Sequence, residues 1–145
     1  MVNEQELLKR LVDREVLAEA YAASSAYVMR KAFEANKALA PFKGRADLAP
    51  AIIKQFERQR TKRPDWVILS AHLYALELAG VDRETRSAVK VILRDKVLKA
   101  DPMVGQFAAH VGNALVKYKK RVPAGHYYEA KEVKGILGGL QRKEG

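Results

Sequence analysis

The stretch Trp66 to Ala79 constrains this chain more than any other. Trp66, Val67, Ile68, Leu69, Leu73, Tyr74, Leu76 and Leu78 put apolar side chains nearly all round a helix that Asp65 caps and Gly80 closes. Such a helix belongs in the centre of a bundle, with other helices around it. It is too short and too interrupted, by Ser70 and His72, to match the ~20 apolar residues of a membrane span. No stretch alternates with period two, so the expected fold is all-α. The 145 residues leave room for one domain with a real core and an appendage.

The segment before this helix reads differently. Asn3 followed by Glu6 has the spacing of a helix N-cap with a reciprocating carboxylate. Neither Gly nor Pro then appears until Pro41, so Glu4 to Ala40 is expected as one helical arm. At 1.5 Å per residue the arm would measure ~55 Å, against ~40 Å for a compact globule of this chain length. It must therefore project, or break, and Ser24-Ser25 is the expected break. Its middle, Ala18 to Ala26, consists almost wholly of Ala and Ser, which suits close approach or simply high helix propensity.

Pro41 ends the arm and Phe42-Lys43-Gly44-Arg45 makes a turn. Asp47 is placed to cap a short helix, with Pro50 in its first turn, that stops before Pro64. Beyond the apolar helix, Asp82 is expected to start a helix reaching about Ala100. Asp101-Pro102 starts another to about Val122, and a last short helix covers Tyr128 to Leu137. The expected layout is a helical arm with a basic elbow over residues 1–64, then a four-helix bundle over residues 65–145.

Charge supplies the functional signal. The formal net charge is +10 and the pI about 9.9, so a polyanion is attracted at a distance. Glu4 to Ala40 is neutral, so the whole excess lies beyond Pro41. From Arg30 to Arg63 stand Arg30, Lys31, Lys37, Lys43, Arg45, Lys54, Arg58, Arg60, Lys62 and Arg63, against Glu34, Asp47 and Glu57. That surplus exceeds what capping or solubility requires and points to nucleic acid.

Two further basic groups stand out. Arg83, Arg86, Lys90 and Arg94 fall within about 80° on a helical wheel, a ridge ~16 Å long. A phosphate backbone would fit along it, and so would a solvated face partly neutralised by Glu84 and Asp95. Lys117, Lys119, Lys120 and Arg121 crowd the end of the next helix, where cations also suit the helix dipole. Few aromatics (Phe42, Tyr118, Tyr127 and Tyr128) lie among these cations, which favours phosphate contact over base stacking or readout.

Nothing points to catalysis. His72, His110 and His126 lack metal-ligand spacing, no carboxylate pair stands out, and no cysteine is present for disulfides or thiolate sites. His126-Tyr127-Tyr128 reads as loop aromatics rather than as a tyrosine nucleophile. No cofactor and no metal are expected. Met1-Val-Asn-Glu-Gln-Glu lacks the basic start and apolar core of a secretory signal. Three Asn, five Gln and many Lys, Arg and Glu lean towards a hot environment. Gly105, Ala109 and Gly112 form a small-residue stripe for close helix approach, within the chain or to a neighbour.

A helical arm, a proline-bearing basic elbow (Pro41, Lys43, Gly44, Arg45, Pro50, Arg58, Arg60, Lys62, Arg63, Pro64) and a helical bundle resemble the major capsid proteins of filamentous and rod-shaped archaeal viruses. The resemblance is architectural and spans the chain. It implies a dimer, with itself or a paralogous capsid subunit, whose arms wrap double-stranded DNA in the A form. The setting it implies is a helical virion, assembled in the host cytoplasm, with elbow cations on phosphates and the Gly-Ala-Gly stripe as a packing surface. The neutral arm departs from that pattern and leaves contact to its end and the elbow. Small all-helical basic subunits of CRISPR effector complexes share the size and charge and give the alternative, a lining for a nucleic-acid groove.

Overall fold

Asp65 and Gly80 bound the central helix by the chemistry expected of them. In the computed structural model, which describes residues 3–62 and 64–142, Asp65 Oδ1 accepts from the N–H groups of Val67 and Ile68 at 2.9 and 3.1 Å. Gly80 takes a left-handed φ of 78°, open to glycine without steric cost. The helices in chain order are α1 (Glu4–Arg10), α2 (Ala18–Tyr21), α3 (Ala26–Ala35), α4 (Ala49–Lys62), α5 (Trp66–Ala79), α6 (Asp82–Arg94), α7 (Lys96–Ala100), α8 (Val104–Val116) and α9 (Ala130–Arg142). Two single 3-10 turns, Ala40–Phe42 and Ala46–Leu48, lie between α3 and α4, and no strand occurs among the described residues. No helix of these residues is long and apolar enough to cross a membrane.

The central position of α5 is confirmed. It packs against α3, α4, α6 and α8 and both 3-10 turns, and eleven of its residues, from Val67 to Ala79, are buried. Around it, α4 touches α6, α6 touches α8, and α8 touches α3, which places α6 between α4 and α8.

The continuous arm is not there. Asp13 Oδ1 accepts from Glu15 N and Val16 N and turns the chain after α1. Ser25 caps α3 through Val28 N, which confirms the break at Ser24-Ser25. Asn36 ends α3 in extended backbone and donates from Nδ2 to Val16 O at 2.9 Å. Short polar side chains that bond nearby backbone compete with helix, and three of them divide the segment. The pieces fold inwards: Leu7, Leu11, Leu17, Met29 and Phe33 are fully buried in the same core as α5. Tyr21 Oη and Arg14 both donate to Asp65 Oδ2, so the cap of α5 also anchors the N-terminal segment.

Several boundaries also move. Asp47 pairs with Arg45 instead of capping α4, which starts at Ala49. The helix from Asp82 stops at Arg94, where Asp95 caps the separate α7 through Val97 N and Leu98 N. The cap at Asp101 holds, its carboxylate accepting from Met103 N and Val104 N. Helix α8 ends at Val116 rather than near Val122, and α9 runs past Gly138-Gly139 to Arg142. Residues 65–142 thus hold five helices, of which α7 has only five residues.

The small-residue stripe serves the interior. A methyl on Gly112 would come within 2.6 Å of Ile136 Cγ2, so α9 can approach α8 only over glycine. Gly105 sits against the carbonyl of Lys99 in α7. The stripe is therefore occupied within the chain and is not a packing surface for another subunit.

One buried titratable group makes the fold sensitive to acid. His72 has no exposed surface, and its Nδ1 lies 2.7 Å from Ile68 O. A carbonyl only accepts, so Nδ1 carries the proton and Nε2 accepts from Gln55 Nε2 at 3.1 Å. Gln55 also donates to Leu8 O at 2.8 Å, which ties α1, α4 and α5 together. Burial pushes the imidazole down to about 4. The unfolded chain then takes up this proton first, and stability present above pH 6.5 is lost as pH falls towards 4. Between pH 7.5 and 5 the loss from this group should be about 2 kcal/mol. Urea melts of the wild type and His72→Gln at both pH values test this, since the variant should lose most of that difference.

Candidate nucleic-acid interface

Among the expected contacts, the structure separates cations that hold the fold from cations that face solvent. Arg30 is a structural staple. Its guanidinium lies 2.9 Å from Glu77 and 3.6 Å from Glu34, and stands over the rings of Phe107 and Tyr74. The ridge on α6 is broken in the same way. Arg86 donates to Asp82 and, from Nη2, to Leu115 O, satisfying a terminal carbonyl of α8, and Lys90 is only 7 % exposed. Both positions border the buried residues Ala88, Val89, Ile92 and Leu93, which turn this side of α6 to the core. Only Arg83 and Arg94 of the four are exposed.

In the elbow, three cations carry carboxylate partners. Lys31 pairs with Glu34 at 3.5 Å, Arg45 with Asp47 at 3.0 Å, and Arg60 with Glu57 at 2.6 Å. Lys37, Lys43, Lys54, Arg58 and Lys62 are exposed, with no ion pair among the described residues. Arg63 lies outside the described residues.

Lys54, Arg58 and Lys62 recur every four residues along α4 and so form one stripe about 12 Å long. The opposite side, with Ala49, Ile52, Gln55 and Phe56, is buried, so the stripe rides on a fixed helix. With one phosphate to each cation, the stripe can neutralise about three phosphates of a duplex.

The second patch follows α8. Lys117 turns the chain in left-handed backbone, φ 51°, and Lys117, Lys120 and Arg121 are exposed with no ion pair among the described residues. Buried polar groups hold this irregular segment in place. Asn113 clamps Lys119 from both sides: its Oδ1 accepts from Lys119 N at 2.6 Å and its Nδ2 donates to Lys119 O at 3.0 Å. Gln106 grips Tyr128 likewise, donating to its carbonyl at 2.8 Å and accepting from its N–H at 2.7 Å. Glu132 receives Lys119 Nζ and His126 Nε2 at 3.0 and 3.1 Å. The N–H of Glu129, helped by Lys119 and His126, holds the Glu132 carboxyl down to about 2. Lys119 is therefore part of the clamp and stands apart from the other three.

The clamp was missed in the sequence, although a sign of it exists. Gln106 and Asn113 are seven apart, on one face of α8 among apolar residues, where buried amides demand partners. The aromatics divide too: Phe42 and Tyr128 are buried, while Tyr127 is 64 % exposed and Tyr118 partly so. No group of three or more metal-ligating side chains occurs among the described residues. Comparison with known proteins finds no matching protein family, no matching curated protein and no matching solved structure.

Proposed function

We propose that this protein coats double-stranded DNA through sequence-independent phosphate contacts, in the manner of a major capsid protein of a helical virion. The observation that carries the reading is the α4 stripe. Lys54, Arg58 and Lys62 stand in helical register on a helix seated in the core, and no carboxylate among the described residues pairs with them. Because the first forty residues belong to the core, wrapping by an arm has no place in the proposal. Contact comes from the surface of the folded domain. Long, flexible cations without a set of Asn, Gln or stacking aromatics around them bind phosphates and leave the bases unread.

Titration of matched-length duplexes of several sequences over a range of salt tests the proposal. Three phosphates neutralised per patch give a log–log salt slope of about −2.7. Scrambling the base sequence should change the affinity by less than the ~1 kcal/mol of one mismatched specific contact. Electron micrographs of protein with long duplex should show regular filaments. A shallow slope with strong preference for one sequence would indicate a regulator, and a preference for RNA would indicate the effector-subunit alternative.

A further inference from the structure

The two patches of exposed cations lie on different helices, and the α4 stripe starts at the end of α5 opposite to the second patch. Helix α4 leads into α5 through only three residues and packs along it, so the two run antiparallel. Lys62 therefore sits beside the start of α5, with Arg58 and Lys54 one and two turns further along. At the other end, Gly80 and Val81 lead into α6, whose second turn supplies Arg86 to Leu115 O in the last turn of α8. Lys117, Lys120 and Arg121 follow immediately and so lie near the end of α5. The length of α5, ~21 Å, separates these ends. The patches also differ in flank, because α6 packs between α4 and α8.

From this placement we infer that one subunit bridges two DNA segments, one on the α4 stripe and one on the Lys117–Lys120–Arg121 patch. The inference rests on the phosphate-binding reading above. Duplex DNA has a persistence length of ~150 bp, so a short duplex seated along α4 cannot bend round the domain to reach the second patch. The second patch is built as well as charged. Asn113 is buried and gives both ends of its amide to Lys119, in the middle of the basic run, and Lys117 holds a left-handed backbone that side chains seldom adopt. The basic run is thus anchored at Lys117 and Lys119, on either side of Tyr118 and next to Lys120. A protein with two such patches draws neighbouring duplex segments side by side, which suits compact packing of a long molecule.

The test mixes two duplexes of about 20 bp, far shorter than the persistence length, one biotinylated and one fluorescent. Full-length protein is added at less than one molecule per duplex in low salt, and fluorescence captured on streptavidin beads is read. Wild type should co-capture the fluorescent duplex. K54Q/R58Q/K62Q and K117Q/K120Q/R121Q should each still shift a single duplex in a gel, with a salt slope near −2.7, and co-capture nothing above background. Co-capture by either variant at the wild-type level would overturn the inference, because copies associating with one another would then supply the bridge. It is likewise overturned if wild type binds single duplexes and never co-captures, or if one triple substitution abolishes single-duplex binding. Failure of wild type to bind any duplex would remove the underlying reading and the bridge together.

Discussion

Neutralising six cations, Lys54, Arg58, Lys62, Lys117, Lys120 and Arg121, to Gln should lower duplex affinity by about 500-fold at 0.1 M salt. Each phosphate contact on duplex DNA gives a salt slope of about −0.9, which is worth about eightfold at that concentration, and a patch makes three. Both patches must be changed, since either alone still holds a duplex. The decisive comparison keeps net charge constant. Lys9, Lys96, Lys99, Lys131, Lys134 and Arg142 are also exposed, and their replacement by Gln removes the same six charges from the chain's +10. That second variant should bind within an order of magnitude of wild type, because diffuse charge steers association but releases few counterions. Equal losses in the two variants would mean that net charge is the whole effect. Circular dichroism should show unchanged helix in both, as none of the twelve side chains is buried.

Phe33→Ala should destabilise the entire domain by about 3–5 kcal/mol, the usual cost of emptying a buried aromatic site. Phe33 is 1 % exposed, stacked on Tyr74 at 5.6 Å and edge-on to Phe107 at 5.7 Å, so it joins α3 to α5 and α8. Aromatic pairs of this kind add to the burial. For a chain of this size the melting temperature should fall on the order of 10 °C. Val28→Ala in the same helix, at a half-exposed position, should change stability by no more than about 0.5 kcal/mol. If the first forty residues were an independent arm, Phe33→Ala would leave the main transition in place. A differential scanning measurement of the three proteins decides between the two outcomes.

What the sequence determined by itself is mostly what local chemistry controls. Asp65, Gly80 and the apolar run between them settled the extent of α5 and its central position, because a cap, a left-handed glycine and an all-round apolar surface each act within a few residues. The all-helical class and the basic surplus are equally legible there. The path of the first forty residues was not legible from the lack of Gly and Pro. Asp13, Ser25 and Asn36 are weak helix breakers alone, and they prevailed because Leu7, Leu11, Leu17, Met29 and Phe33 reach the core only if the chain turns back. The same holds for charge. The helical wheel grouped Arg83, Arg86, Lys90 and Arg94, yet packing of α6 between α4, α8 and α9 decided which of them meet water. Tertiary structure also chose the cations spent on Glu77, Asp82 and Glu132, since those carboxylates come from distant elements or another turn. The number of positive charges is a property of composition, but their availability depends on three-dimensional neighbours.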